Sequence, residues 1–419
     1  MLTLPTTQIR LHGMLRTPYS VLISGAGIAG PALAYWLRRY GFEATIVERA
    51  PALRPGGQAV DIRGAAREVV ERMSLLADVR QAGLVERGFA IVNQHGKHIA
   101  SMPVDLFGGE GIVAEIEILR GELARVLYEA TRMDVEYVFD DSVELLVQDE
   151  LGAHVEFSRG GSRRFDVVVG ADGVHSRVRA LAFGDESNYV RPLGGYTAYF
   201  TIPQRIETDG WFSMHNAPGG RVVGVRPAGP DSSQVMLSFL SPPLGYERLS
   251  AGRQKHLLAD TFAGLDWETP RILDAMHEAP DFFFDLVGQV NMPRWTCERV
   301  ALVGDAAYCP SPVTGLGTSL AVVGAYVLAG ELADAEGDYP QAFASYEAQI
   351  RGYVHQAQHL PPGGLEGMLP RTRSALWMRN QSLRLMTRWP FRNLVSGMFH
   401  KADAIALKDY SVNSHAPVL

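Results

Sequence analysis

The sequence predicts a mixed α/β fold. Two observations carry the prediction: apolar runs that each end in a glycine-bearing bend, and a long tract of strand-like segments with no helix between them. The runs are Val21 to Ile23, Phe165 to Gly170 and Arg299 to Val303. Short apolar, β-branched runs of this kind belong to strands covered on both faces.

The first run turns through Ser24-Gly25-Ala26-Gly27-Ile28-Ala29-Gly30 into a helical pattern, Pro31 to Tyr40. GxGxxG between strand and helix is a Rossmann-type dinucleotide fingerprint. Gly25 permits the turn, Gly27 admits a pyrophosphate, and Gly30 lets the helix close on the strand. The helix start, with Ala26, Ile28 and Ala29, offers free N–H groups and the positive dipole end. Gly41 stops the helix, Ala44 to Val47 reads as a second strand, and Glu48 ends it where a carboxylate accepts from ribose hydroxyls. Arg49 adjoins it. The competing reading, a plain βαβ turn with a solvated Glu, has to explain five elements falling in order.

A Pro/Gly-broken loop follows to Gly57, then Gln58 to Ile62, and a helix over Ala65 to Ala77. Phe89 to Pro103 reads as two strands around His95-Gly96. Leu119-Arg120-Gly121-Glu122 opens a helix to about Thr131. Val135 to Val147 and His154 to Phe157 alternate as strands. From Tyr189 to Leu240 four strand-like segments succeed one another, with Pro218-Gly219-Gly220 as a hairpin signal, which predicts an antiparallel sheet. Arg253 to Ala263 and Arg271 to Glu278 read as helices, Asp281 to Val290 as a strand, Thr318 to Asp334 as an apolar helix. The tail from Tyr339 is helical, broken at Leu360 to Gly364.

The second bend is Gly170-Ala-Asp172-Gly173-Val-His-Ser176-Arg177, delivered by a buried strand to the carboxyl edge where such sheets bind ligands. Asp172 can accept from ligand hydroxyls or order a loop, Ser176 can cap the next helix, and Arg179 can neutralise phosphate. The third is Gly304-Asp305-Ala306-Ala307, then Pro310, Pro312, Gly315, Leu316 and Gly317. Asp305 suits a polyol chain, and the N–H groups from Gly315 onward suit an anion at a helix N-terminus.

These three fingerprints resemble the single-component flavoprotein monooxygenases of the p-hydroxybenzoate hydroxylase type, nearest the branch of tetracycline-inactivating and aromatic polyketide hydroxylases. The resemblance spans about residues 20 to 335. It implies FAD held by Gly25 to Gly30, Glu48, Arg49, Asp61, Arg120, Asp172, Gly304, Asp305, Pro312 and Gly315 to Gly317. Gly56-Gly57-Gln-Ala-Val-Asp61 is similar to the flavin-edge loop of that branch, and Ile118-Leu-Arg120-Gly-Glu to its arginine-bearing helix start. Arg54 and Asp172 are implied contacts for NADPH or NADH as co-substrate. Tyr308 departs from the family pattern, which often has His there.

The implied architecture is α/β: a Rossmann-type FAD-binding domain from 18–78, 110–186 and 290–335, an inserted antiparallel β-sheet substrate domain from 79–109 and 187–289, and a C-terminal helical region, 336–419. The implied activity is hydroxylation of a bulky aromatic or polycyclic compound with O2, through a flavin C4a-hydroperoxide. The protein then needs no nucleophile, only binding, orientation and exclusion of water. An oxidase on the same scaffold, or an idle FAD-binding protein that sequesters a drug, are the alternatives. No second GxGxxG follows a strand, which speaks against reductases with two nucleotide domains. Substrate-contact candidates are Tyr199, Trp211, His215, Arg221, Arg226 and Phe239, of which His215, Arg221 and Tyr199 are also the catalytic candidates. Strand periodicity leaves their direction open, and a structural role competes at each.

A net charge of −7 gives no reason to expect a nucleic-acid partner. Cys297 and Cys309 match no zinc pattern, and no metal is expected; two cysteines point to a reducing, cytoplasmic setting. The first twenty residues read as a loose extension. The basic, amphipathic stretch Arg379 to Lys401 reads as a helix pair packed on the FAD-binding domain rather than as a membrane contact.

Overall fold

The computed structural model of the protein describes residues 19–107, 116–386 and 405–410. The expected loose extension lies outside them up to residue 18, as does the basic stretch from 387 on.

Strands β1 (Ser20–Ser24), β2 (Glu43–Glu48), β7 (Glu136–Phe139), β11 (Val167–Gly170) and β18 (Val300–Leu302) run parallel. With an antiparallel edge, β17 (Thr296–Cys297), they form a sheet ordered β17-β18-β11-β1-β2-β7. Val21 sits between Val167 and Ala44, and Ile23 between Val169 and Ile46. The apolar residues of all three runs are closed to solvent, as strands covered on both faces require. Helices α1 (Ala29–Arg39), α2 (Gly64–Arg72), α3 (Leu76–Gln81) and α4 (Arg120–Glu129) share this core with α9 (Gly317–Asp334) and α10 (Tyr339–Ala357). So does an antiparallel trio, β8 (Val143–Asp149), β9 (Gly152–Phe157) and β10 (Ser162–Phe165). Helix α9 is apolar on every side because neighbours cover it on every side. Its far end is covered by residues 405–410. The Tyr410 ring lies flat against Gly330, its hydroxyl donates to Glu331 Oε1 (2.8 Å), and the Tyr326 hydroxyl donates to Lys408 O (2.7 Å).

A seven-stranded sheet is assembled from β4 (Gly88–Val92), β5 (His98–Pro103), β12 (Val190–Ile202), β13 (Trp211–Ala217), β14 (Arg221–Pro227), β15 (Ser233–Leu240) and β16 (Phe283–Val290). Its order is β16-β12-β15-β14-β13-β4-β5. One pairing departs from the antiparallel expectation: β13 runs parallel to β4, because β4 reaches the sheet from a separate part of the chain. One face is sealed by α6 (Ala251–Phe262) and α7 (Thr269–Met276), where Phe200, Val223, Leu237 and Phe239 meet Leu258, Phe262, Ile272 and Met276. The pair β3 (Ala59–Asp61) and β6 (Glu117–Leu119) lies between the two sheets' territories. Remaining helices are α5 (Arg177–Phe183), α8 (Asp305–Tyr308), α11 (Gly364–Met368) and α12 (Arg373–Met386).

Two expected elements are split. The helix expected over 65–77 becomes α2 and α3 because Ser74 adopts φ 61°, and the strand expected over 135–147 becomes β7 and β8 because Asp140 adopts φ 60°. Single left-handed residues end an element without any Gly or Pro to announce it.

Candidate functional site

The carboxyl ends of β1, β2, β11 and β18 meet at one rim. Gly25 N–H donates to Val47 O (2.7 Å), Ala171 N–H to Ser24 O (2.8 Å), and Val303 N–H to Gly170 O (2.9 Å). Sequence-distant bends are thereby stitched strand to strand. At Gly25 the backbone takes φ 110°, and a Cβ would lie 2.6 Å from Ala171 O. Glycine is the residue that satisfies both demands.

Above the rim opens a cavity of about 640 Å³. From the bends it is lined by Gly25, Ala26, Gly27, Ile28, Ala29, Glu48, Arg49, Arg54, Asp61, Arg120, Asp172, Asp305, Pro312, Gly315 and Gly317. Gly30, Gly304 and Leu316 stand behind it. Gly30 packs on Gly25 O, Gly304 on Ala29 and Ala321, and Leu316 is buried ahead of α9.

The polar groups divide into two kinds. Some already have partners. Glu48 accepts from Ala26 N–H (2.8 Å) and Ala50 N–H (2.9 Å), tying its strand to the glycine turn. Asp172 accepts from the N–H groups of Arg177 (2.8 Å) and Val178 (3.1 Å) and from the Ser176 hydroxyl, so it orders the start of α5; burial still pushes its pKa up. Ser176 caps α5 as expected, accepting from Arg179 N–H (2.9 Å). Arg179 does not reach the cavity. It is fully buried and donates to Ala306 O and Val174 O, so the phosphate role expected of it is replaced by a structural one.

Others wait for a partner. The Arg120 guanidinium makes no hydrogen bond to the described residues, and burial pulls its pKa down despite the nearby Asp305 carboxylate. Burial likewise raises Asp305. A Cβ on Gly27 would sit 3.0 Å from Arg120 Nη2, so Gly27 keeps space open where that cation faces. An inward cation, a buried acid and free N–H groups at the start of an 18-residue helix fit a large anionic ligand with a polyol, as FAD is.

The opposite wall comes from the seven-stranded sheet: Thr197 and Tyr199 on β12, Phe283, Asp285 and Leu286 on β16, and Asp281 and Phe282 just before it. Tyr199 and Phe283 stand 6.5 Å apart, centroid to centroid. The sequence reading singled out Tyr199 here. The run Phe282-Phe283-Phe284 was the missed signal. Of the other substrate candidates, Trp211, His215, Arg221 and Phe239 do not line the cavity. They share the parity of residues on the α6–α7 face: Phe239 is packed against Phe262, Arg221 donates to Thr261 O (2.9 Å), and His215 stands by Trp267. Burial also lowers the His215 pKa. Arg226 has the parity of Tyr199 but is engaged by Glu117 and Glu86.

His175 joins the two walls. Its ring bonds Glu186 (2.9 Å) and Asp285 on β16 (3.1 Å), and these carboxylates raise its pKa to about 9. Cys309 also lines the cavity as a buried thiol beside Asp305, its pKa driven up by burial. Among the described residues no cluster of three or more potential metal ligands occurs, and no helix is long and apolar enough to cross a membrane.

Comparison with known proteins now decides the family. The family described as FAD binding domain matches residues 18–251. The chain belongs to it. This FAD-dependent monooxygenase is 38% identical over 340 residues to a flavin-dependent monooxygenase of Legionella longbeachae, covering 81% of this chain and 86% of that one. It is 43% identical over 356 residues to an uncharacterized protein of Mycobacterium tuberculosis, covering 84% and 95%. Among solved structures, the monooxygenase superposes on tetracycline destructase Tet(51) with a TM-score of 0.78 at 34% identity, covering 94% of this chain and 100% of that one. HpxO of Klebsiella pneumoniae, complexed with FAD and uric acid, aligns at TM-score 0.74 and 20% identity, a likeness of fold alone.

Proposed function

We propose that this monooxygenase uses NADPH or NADH and O2 to hydroxylate a bulky aromatic or polycyclic compound. The observation behind the proposal is the two-sided cavity: an anion- and polyol-binding rim on one wall, and Tyr199, Phe282, Phe283 and Leu286 on the other. FAD, when bound, supplies hydride acceptance and oxygen activation.

The chain's own residues do the rest. Gly25 to Ala29 would receive the pyrophosphate, Glu48 the adenosine ribose, Asp305 the ribityl chain, and Arg120 the charge of the cofactor. The N–H groups of Gly317 and Thr318, at the start of α9, would stabilise negative charge on the ring. Arg54 and Asp172, both at the cavity, are the residues proposed to meet the nicotinamide nucleotide. The aromatic wall orients a flat substrate and keeps water from the reacting atoms. Thr197, Asp281 and Asp285 also line this wall, each already bonded to Ser238, Thr201 and His175 respectively.

A panel of polycyclic phenols, with tetracycline among them because a structural relative is a tetracycline destructase, is screened for stimulated NAD(P)H oxidation. Products are then analysed for one oxygen atom from 18O-labelled O2. Stimulation with label incorporation supports hydroxylation. NAD(P)H oxidation that yields only H2O2 across every bulky aromatic tested, with turnover on a small aliphatic compound, overturns the substrate class.

A further inference from the structure

A buried ionic joint lies on the same face of the seven-stranded sheet as Tyr199. Arg226 on β14 donates to Glu117 on β6 and stands 3.4 Å from Glu86 Oε1, with its guanidinium 3.8 Å from the Phe212 ring centroid. Asp61 pairs with Glu117 across β3 and β6, accepts from Arg63 Nη2 (2.7 Å), and lines the cavity beside Gly315. Gln234 on β15, the register partner of Arg226, donates to Gly57 O. Gln234 therefore holds segment 54–61 directly at its middle, while Arg226 reaches its end through Glu117, the β6 partner of Asp61. Other bonds fix that loop from α4: Gly121 N–H donates to Gly56 O (2.8 Å) and Arg120 N–H to Gln58 O (2.9 Å).

We propose that Arg226, with Gln234, is a positioning residue that ties the seven-stranded sheet to the 54–61 loop and so fixes Asp61 at the cavity wall. Five groups face one another here: Asp61, Glu86 and Glu117 against Arg63 and Arg226. With every acid ionised, one negative charge would stand in excess out of water, so the cluster retains a proton. Burial accordingly lifts Asp61 to about 8 and Glu86 to about 7. Both Glu86 oxygens are buried with no hydrogen bond, and Arg226 is the cation that faces them. The joint makes the loop's position depend on the sheet that the substrate is proposed to touch. It leaves the cofactor to the residues assigned above.

The relation of Asp61 to FAD rests on the proposed cofactor reading, whereas the grip on the loop does not. The test separates them. Amide hydrogen exchange over 55–61 is measured on full-length flavin-free protein, for wild type, Arg226→Gln, Arg226→Lys and Gln234→Ala. FAD affinity is then measured by quenching of flavin fluorescence. Exchange over 55–61 should quicken roughly tenfold in Arg226→Gln, the effect of losing one buried bond to a charged group. It should quicken less in Gln234→Ala, and Arg226→Lys should recover part of the loss. FAD affinity should fall in the same order. Should Arg226→Gln fail to fold, Gln234→Ala carries the test alone, since it removes no charge. Unchanged exchange over 55–61 in the folded variants overturns the proposal. Faster exchange in the variants, together with a wild-type protein that binds no FAD, sinks the cofactor reading and leaves the joint standing.

Discussion

The two walls of the cavity are built on opposite principles. Strands β1, β11 and β18 are buried on both faces, so neither face has room for chemistry and only their ends are available. The ends therefore carry it as consecutive residues, Gly25 to Gly30, Asp172-Gly173 and Gly304-Asp305. The seven-stranded sheet is buried on one face by α6 and α7 and turned to the cavity region with the other. Its contribution is spread over separate strands, with alternate residues on β12, Thr197 and Tyr199, and a short run around the start of β16. A site on strand ends is written as a string, and a site on a sheet face is written in parity.

The sharpest way to break this contrast is Gly25→Val. A side chain there meets Ala171 O and an unfavourable φ, so a destabilisation of about 3 kcal/mol and loss of measurable FAD binding are expected. Denaturant titration and flavin fluorescence check it. A variant that folds and binds normally would mean the strand ends are not the rigid wall. Arg120→Met should separate the two quantities: FAD affinity drops roughly a hundredfold, while the flavin-free protein is no less stable, since an unpaired buried cation has gone. The parity of the other wall is tested next. Tyr199→Ala and Phe283→Ala should each raise KM for an aromatic substrate about tenfold, as expected for losing an aromatic contact, with His215→Ala leaving KM unchanged. A reversed pattern would put the substrate on the helix-backed face.

The smallest expected effect concerns the latch between the walls. His175 has its pKa raised from 6.5 to about 9 by Asp285 and Glu186, so the folded protein holds a proton that the unfolded chain releases first. Its stabilisation is complete below pH 6.5 and disappears as pH climbs to 9. The side chain is 38% exposed, so solvent screening limits the effect to about 1 kcal/mol. Thermal unfolding followed from pH 6 to 9.5 should show that loss in wild type and not in His175→Gln.

How much could be read in advance follows the same division. Gly25 to Gly30, Glu48 and Asp305 lie together at the rim as expected because spacing along the chain there equals placement at the strand ends. Trp211, His215, Arg221 and Phe239 were put with Tyr199 because composition does not say which way a strand faces; one helix pair packed on one side decides it. Arg179 was misjudged for a different reason. A cation in a phosphate-binding motif looks free until the backbone carbonyls of Val174 and Ala306 are seen around it. Arg226 shows the same lesson, since its partners lie on β6 and before β4, more than a hundred residues away.

The seat of Tyr410 against Gly330 has a practical corollary. Helix α9 begins at the cavity loop and ends under residues 405–410, so the last described stretch of chain plugs the rear of the scaffold that carries the cavity. Trimming the polypeptide before residue 405 would bare the Tyr326 ring and leave the Glu331 carboxylate facing an empty groove. Poor yield and clumping, with normal turnover in whatever remains dispersed, would be the mark of such a shortened enzyme.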